Sequence, residues 1–144
     1  MPENHLRILL PRPVDSKWPI GAKFMQENTA LWKEGHKGVD FVVPVGENVT
    51  ICLPGAVQLV GWDPKGFLGL RTWILSPHAT LGMVRIAYCH LSKLDLVLDQ
   101  EVERVILGKS GATGINRAGK QVGPHLHLQA ELWPSREPLE PIFT

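Results

Sequence analysis

The chain has 144 residues, of which 44% are hydrophobic and 20% charged, a composition typical of one soluble globular domain. Its 15 basic and 14 acidic residues leave a formal net charge of +1, so charge gives no case for a nucleic-acid-binding protein. The apolar run near the start, residues 8–10, is too short for the core of a secretion signal, which needs roughly 7–15 apolar residues. We therefore expect a chain that is made in the cytoplasm and has no membrane as its partner.

Glycine and proline divide the sequence into short segments from one end to the other. The predicted strands are residues 39–43, 49–53, 56–62, 70–75, 83–90, 102–107 and 125–132. Short β-rich segments at this spacing predict an all-β domain, and no segment has a helical period of useful length. Residues 108–123 are expected to form a glycine-rich loop, and residues 1–35 a loop-rich segment that wraps the sheet. The whole range 1–144 is predicted to be a single domain.

Two cysteines, Cys52 and Cys89, are present. One pair without a secretion signal does not indicate a disulfide framework. Strand alternation directs Cys89 away from its neighbours Tyr88 and His90. Cys89 is therefore predicted to be a small buried hydrophobic residue.

Five side chains with the chemistry of metal ligands or acid–base catalysts occupy informative positions: His36, Asp40, His90, His125 and His127. The first two form an H-x-x-x-D pair, and the last two form H-x-H. Because alternate residues of a strand share a face, each pair can point one way, and Gly38 is expected to leave open space within the first pair. Zinc prefers imidazole and carboxylate ligands, and a catalytic zinc site keeps one position for water. Spacing alone does not choose three ligands from the five, and satisfied polar residues of a sheet are the alternative.

Four motifs follow one another in a recognisable order. They are His-Lys-Gly-Val-Asp at 36–40, Tyr-Cys-His-Leu-Ser at 88–92, the glycine-rich stretch 108–114 and Gly-Pro-His-Leu-His at 123–127, with Pro-Leu-Glu-Pro at 138–141 closing the series. Together they resemble the lysostaphin-like, or LytM-type, zinc metallopeptidases, a family of peptidoglycan endopeptidases. The resemblance covers about residues 21–143. Four motifs in the right order are a strong signal, whereas each alone would be weak.

The resemblance implies a role for each site residue. His36, Asp40 and His127 match the ligands of one Zn²⁺ ion, and His90 and His125 match catalytic histidines that do not bind the metal. It does not say which of those two is the general base. The implied fold is LytM-like, a duplicated hybrid motif forming a compact, largely antiparallel β-sheet with the site in a loop-bounded groove. The implied partner is a peptide of peptidoglycan, and the chain is expected to be a monomer.

The cellular context also has two interpretations. A wall-cutting enzyme without an export signal needs another route to its substrate, so we expect a phage lysin or a tail-associated peptidase that acts after release or from a virion. The alternative is a non-catalytic LytM-like domain that binds zinc or the cell wall, or activates a partner, within a larger assembly. The presence of all five matched residues favours the enzyme.

A few positions depart from the family pattern. Asp99 and Arg104 stand near places where glycine is usual, so a local turn can differ. Residues 66–69 are expected to reshape one groove wall. Gln129 stands where an acidic residue is common, which puts a carboxylate partner for the metal ligands in doubt. Trp32 is the best candidate for a groove-wall aromatic residue.

Overall fold

The computed structural model describes residues 5–25 and 36–144. Within these ranges the chain forms eleven strands: β1 (Arg7–Leu10), β2 (Val39–Phe41), β3 (Asn48–Thr50), β4 (Gly55–Trp62), β5 (Leu70–His78), β6 (Gly82–Leu91), β7 (Lys93–Leu94), β8 (Glu101–Val102), β9 (Ile106–Lys109), β10 (Leu126–Leu132) and β11 (Pro138–Phe143). The same ranges contain no helix, and so none that could cross a membrane. The predicted all-β class is confirmed.

The described strands form two sheets. The larger has the order β1-β11-β10-β6-β5-β4-β8, and β2 also pairs with β10; the smaller has the order β3-β9-β7. Every pairing is antiparallel except that of β1 with β11. The largely antiparallel sheet is therefore as predicted. Within the larger sheet, β10 is the strand that matters most for function. One edge of β10 pairs with β2 and, further along the strand, with β11.

The main hydrophobic core lies against one face of the larger sheet. Alternation along β6 sends Tyr88 into this core, whereas Ala87 and Cys89 pack with Trp73 in a smaller cluster. Both cysteines are free and buried, so the prediction for Cys89 is confirmed. The backbone N–H of Cys52, which follows β3 of the smaller sheet, donates a hydrogen bond of 2.8 Å to the Tyr88 hydroxyl oxygen. This bond ties the two sheets together.

Several strand boundaries differ from those predicted. Residues 7–10, expected in loops, form β1 parallel to β11, and β11 itself was not predicted because Pro138 and Pro141 argue against a strand. The predicted strand 102–107 is two strands in different sheets, because β8 pairs with β4 while β9 pairs with β3. Residues 1–4 and 26–35, including the candidate groove residue Trp32, lie outside the described residues. The extent of the domain stays a prediction.

One departure from the family pattern is resolved by backbone conformation. Asp99 has a φ of +67°, the left-handed conformation that glycine adopts most easily. Aspartate is among the few other residues that tolerate it. Its backbone N–H donates to the carbonyl of Val57 at 2.8 Å. Asp99 therefore makes a turn of the kind that a glycine would make, and a different turn is not needed.

Candidate active site

Asp40 and His127 face each other across two paired strands. In the antiparallel register of β2 and β10 they are direct partners, and Asp40 Oδ1 lies 2.8 Å from His127 Nδ1. Their strand neighbours are all buried in the main core: Val39, Phe41, Leu126 and Leu128. Because alternate residues point to opposite faces, burying these neighbours directs both polar side chains to the other face.

His36 joins the pair from the segment just before β2. Its Nε2 lies 3.2 Å from Asp40 Oδ1 and 3.1 Å from His127 Nδ1, and the residue is 2% exposed. Gly38 makes this approach possible, because a Cβ there would lie 2.2 Å from the carbonyl oxygen of Leu128. The expected open space at Gly38 is thus wrong, since the backbone of β10 fills it. His36, Asp40 and His127 form a group that could hold a metal ion.

Hydrogen bonds assign the proton position on the imidazoles of His36 and His127. His36 Nδ1–H donates to the carbonyl oxygen of Lys23 at 3.1 Å, and His127 Nε2–H donates to Gln129 Oε1 at 2.8 Å. In a neutral ring the other nitrogen then carries a lone pair. The amide oxygen of Gln129 therefore takes the place of the carboxylate that is common at this position, since it accepts the Nε2 proton of His127.

The donor set fits a zinc ion. With the protons on His36 Nδ1 and His127 Nε2, three lone-pair atoms meet within 3.2 Å of one another: His36 Nε2, Asp40 Oδ1 and His127 Nδ1. A tetrahedral zinc ion with bonds of about 2.0–2.2 Å separates its ligand atoms by about 3.4 Å. Such a convergence of acceptors favours a cation at its centre.

A β-bulge brings His90 to the same place. Two residues of β6, Cys89 and His90, lie opposite the single residue Arg71 of β5, and His90 has a φ of +63°. Regular alternation would put His90 on the face of Tyr88. Instead its ring centroid lies 4.4 Å from that of His125. The predicted alternation fails at His90 because the bulge redirects its side chain, as bulges near active sites do.

His90 and His125 are both oriented by backbone carbonyls. His90 Nδ1–H donates to Thr113 O at 2.7 Å, and His125 Nδ1–H donates to Gly123 O at 2.8 Å. Each neutral ring therefore presents the lone pair of Nε2. His125 Nε2 lies 3.9 Å from Asp40 Oδ2, which places it beside the three-residue group.

Burial makes His90 a weakly basic group. Burial, together with the nearby His125 and His127, lowers the pKa of His90 to about 3. His90 is consequently neutral at pH 7. A neutral imidazole has a lone pair that can accept a hydrogen bond or a proton.

Two loops hold His90 in position. The backbone N–H of His90 donates to the carbonyl of Leu68 at 2.8 Å, within the segment 66–69 that was expected to shape a groove wall. Gly69 has a φ of +64°, and a Cβ there would lie 2.4 Å from the carbonyl oxygen of Thr113. The close approach at Gly69 lets the two loops meet beside the His90 ring.

The sequence comparisons agree with this geometry. The model of Peptidase family M23 matches residues 34–141, three quarters of the chain. The chain belongs to peptidase family M23. This M23 chain is 35% identical to the glycyl-glycine endopeptidase ALE-1 of Staphylococcus capitis over 95 residues, 65% of the chain and 24% of that relative. The chain spans about a quarter or less of the length of the curated relatives it matches.

Solved structures show the same fold as this M23 chain. The catalytic domain of the antimicrobial peptidase lysostaphin from Staphylococcus simulans superposes with a TM-score of 0.72 at 24% identity, covering 86% of this chain and 89% of that one. A zinc-containing peptidase from Vibrio cholerae has a TM-score of 0.71 at 25% identity, covering 96% of this chain and 39% of that one. The predicted resemblance to lysostaphin-like peptidases is therefore confirmed.

The fold of this M23 chain brings all five predicted site residues into one cluster, while their division into ligands and catalysts stays a prediction. Sequence reasoning did not find three of the four groups that orient them. These three are backbone carbonyls, of Lys23, Thr113 and Gly123, which no side-chain motif could reveal. The fourth is Gln129, whose position the sequence analysis singled out and which lies two residues after His127 on the same strand face.

Proposed function

We propose that this chain is a zinc-dependent endopeptidase that hydrolyses peptide bonds in bacterial peptidoglycan. The observation that carries the proposal is the convergence of three lone-pair atoms within 3.2 Å, beside two further imidazoles, in an M23 chain. His36, Asp40 and His127 would hold the ion. Bound zinc polarises a carbonyl group and lowers the pKa of a water molecule to near neutrality.

His90 and His125 would carry out the proton transfers. Each has its Nδ1 proton engaged by a backbone carbonyl, so each Nε2 can take a proton from water and pass it to the departing amine. The carbonyl acceptors also stabilise the imidazolium form once the proton has arrived. A protonated ring beside the reacting carbonyl can donate to the developing oxyanion. The pair thus supplies one proton acceptor and one hydrogen-bond donor.

The substrate class is supported by the relative from Staphylococcus capitis, a glycyl-glycine endopeptidase, a name that describes cleavage of an internal peptide bond. The resemblance to peptidoglycan endopeptidases supports a cross-link or stem of the cell wall as the part that contains this bond.

The route to the wall is part of the same proposal. Peptidoglycan lies outside the membrane that encloses the site of synthesis, so the chain needs delivery. We infer that it is phage-borne, either a lysin released onto the wall or a tail-associated peptidase carried by the virion. Mass spectrometry of purified virions distinguishes the two forms. An export signal in the native gene would contradict both.

Zinc content and wall digestion test the enzymatic part together. The wild type should contain one zinc ion per chain by elemental analysis and release peptides from purified peptidoglycan, identified by mass spectrometry. Asp40→Ala should lose most of the zinc and the release, because two ligands hold the ion weakly. Asp95→Ala is the matched control, since Asp95 is an exposed carboxylate 3.7 Å from Lys93 Nζ.

Two outcomes would change the conclusion. Equal zinc in Asp40→Ala and the wild type would remove Asp40 from the ligand set. Full zinc in the wild type without peptide release would favour the alternative, a non-catalytic domain that binds zinc or the wall.

A further inference from the structure

A cleft of about 410 Å³ lies beside the three-residue metal group. Its lining comprises Lys37, Gln129, Ala130, Glu131, Arg136 and Pro138. Two of these residues connect it to the site, because Lys37 follows the ligand His36 and Gln129 accepts the Nε2 proton of His127. The cleft therefore lies next to the residues that would hold the metal ion.

Glu131, in the lining of the cleft, lies a short peptide's length from His127 along β10. Glu131 follows His127 by four positions on the same strand face, which is about 13 Å at roughly 3.3 Å per residue. An extended peptide advances about 3.3–3.6 Å per residue. A substrate bound over the metal group would thus reach Glu131 within about four residues of the bond that is cut.

The carboxylate in the cleft is already neutralised. Glu131 is 6% exposed and forms a short ion pair with the guanidinium of Arg85, which is itself buried. That guanidinium is stacked between the rings of Trp73 and Trp133, at 3.9 and 4.4 Å from their centroids, and donates to Gln58 Oε1 at 3.1 Å. Such packing fixes Arg85 and Glu131 as a rigid pair.

Arg136, unlike Arg85, has N–H donors on both terminal nitrogens that are left without an acceptor among the described residues. Its Nε donates to Glu131 Oε1 at 3.3 Å, and its side chain is 63% exposed. Arg136 is thus a second cation beside a carboxylate that Arg85 already pairs. A guanidinium with free terminal donors matches a carboxylate in geometry and charge.

We propose that this cleft binds a carboxylate of the peptide substrate, with Arg136 as the donor that recognises it. The cleft would select peptides that carry an acidic group within about four residues of the cut bond. The inference rests on the proposed function only in treating the occupant as the substrate peptide.

Peptide binding to the zinc-loaded chain provides the test. The probes are dye-labelled glycine–alanine octapeptides, each with one glutamate at a different position and each paired with its glutamine twin. Fluorescence anisotropy measures binding, and mass spectrometry confirms that each peptide is intact. The variants are Arg136→Gln, Arg136→Lys and the control Arg7→Gln. Arg7 is a close match because its Nε lies 3.3 Å from Glu140 Oε1 and its side chain is 71% exposed.

At least one glutamate peptide should bind the wild type roughly two- to fivefold more tightly than its glutamine twin, as expected for a partly exposed ion pair. Arg136→Gln should abolish that difference, Arg136→Lys should keep part of it, and Arg7→Gln should keep all of it. Added salt should reduce the preference in the wild type. Thermal melts identify any variant that has lost its fold. If Arg136→Gln is one of them, the partial preference expected of Arg136→Lys tests the proposal.

Absence of a preference for any glutamate peptide in the wild type would overturn the proposal, as would an equal preference in Arg136→Gln. Peptidoglycan digestion, measured separately, keeps the two proposals apart. Preference through Arg136 without wall digestion would refute the enzyme and support the cleft. Digestion without preference would do the reverse.

Discussion

The hydrogen bond between Gln129 and His127 gives the sharpest test of the metal centre. Gln129→Ala removes the oxygen, 2.8 Å away, that holds the proton on His127 Nε2. Without it the proton can move to Nδ1, the nitrogen that faces Asp40 and His36, where it competes with a metal ion. Loss of a partner of this kind costs about 10- to 100-fold in metal affinity, or about 1.4–2.8 kcal/mol.

Competition with a chromophoric zinc chelator measures that loss directly. Gln129→Glu keeps an acceptor at the same place and should bind zinc at least as tightly as the wild type. Gln100→Ala is the control, since it also deletes an amide oxygen that accepts an N–H, from Val97 at 3.1 Å. If Gln129→Ala binds zinc as tightly as Gln100→Ala does, then the proton position on His127 does not depend on Gln129 and the argument is refuted.

Three further predictions concern catalysis and stability. His90→Ala and His125→Ala should retain near-full zinc while turnover of solubilised peptidoglycan falls about 10²–10⁴-fold; zinc loss in His125→Ala would make it a ligand, and full activity in His90→Ala would leave the proton transfers to His125 alone. Gly38→Ala should lower the free energy of unfolding by about 1–3 kcal/mol in urea titrations, because the new Cβ would lie 2.2 Å from Leu128 O. An unchanged urea midpoint would mean that β2 and β10 separate easily to make room for it. Asp99→Val should lower the free energy of unfolding by about 1–2 kcal/mol, whereas Asp99→Gly should not, because only the valine is strained at a φ of +67°. Equal stability of the two variants would contradict the strain.

Strand alternation accounts for two of the residues that meet, because Asp40 in β2 and His127 in β10 have buried apolar neighbours that leave both on one face. His36 and His125 precede these strands, so their place in the site was expected from the motifs and not from alternation. The register that sets Asp40 opposite His127 was not predictable, since it depends on pairing between segments 87 positions apart. For that reason spacing alone could not choose the ligands.

Other features depend on interactions that no local pattern records. The bulge at His90 needs two residues of β6 to face one of β5, and both segments look regular in sequence. Strand β11 carries two prolines that argue against a strand, and its pairing with β1 comes from opposite ends of the chain. Residues 102–107 change sheets partway, which only the partners β4 and β3 determine.

Three of the four imidazoles at the centre give their Nδ1 proton to a main-chain oxygen: His36 to Lys23, His90 to Thr113 and His125 to Gly123. Every amino acid offers that same carbonyl. The residues at these three positions can therefore be exchanged during evolution without altering which nitrogen carries the proton, provided that the loop keeps its path. Only His127 relies on a neighbouring side chain. Loops around such a centre are free to diversify toward new substrates while the acid–base chemistry is inherited unchanged.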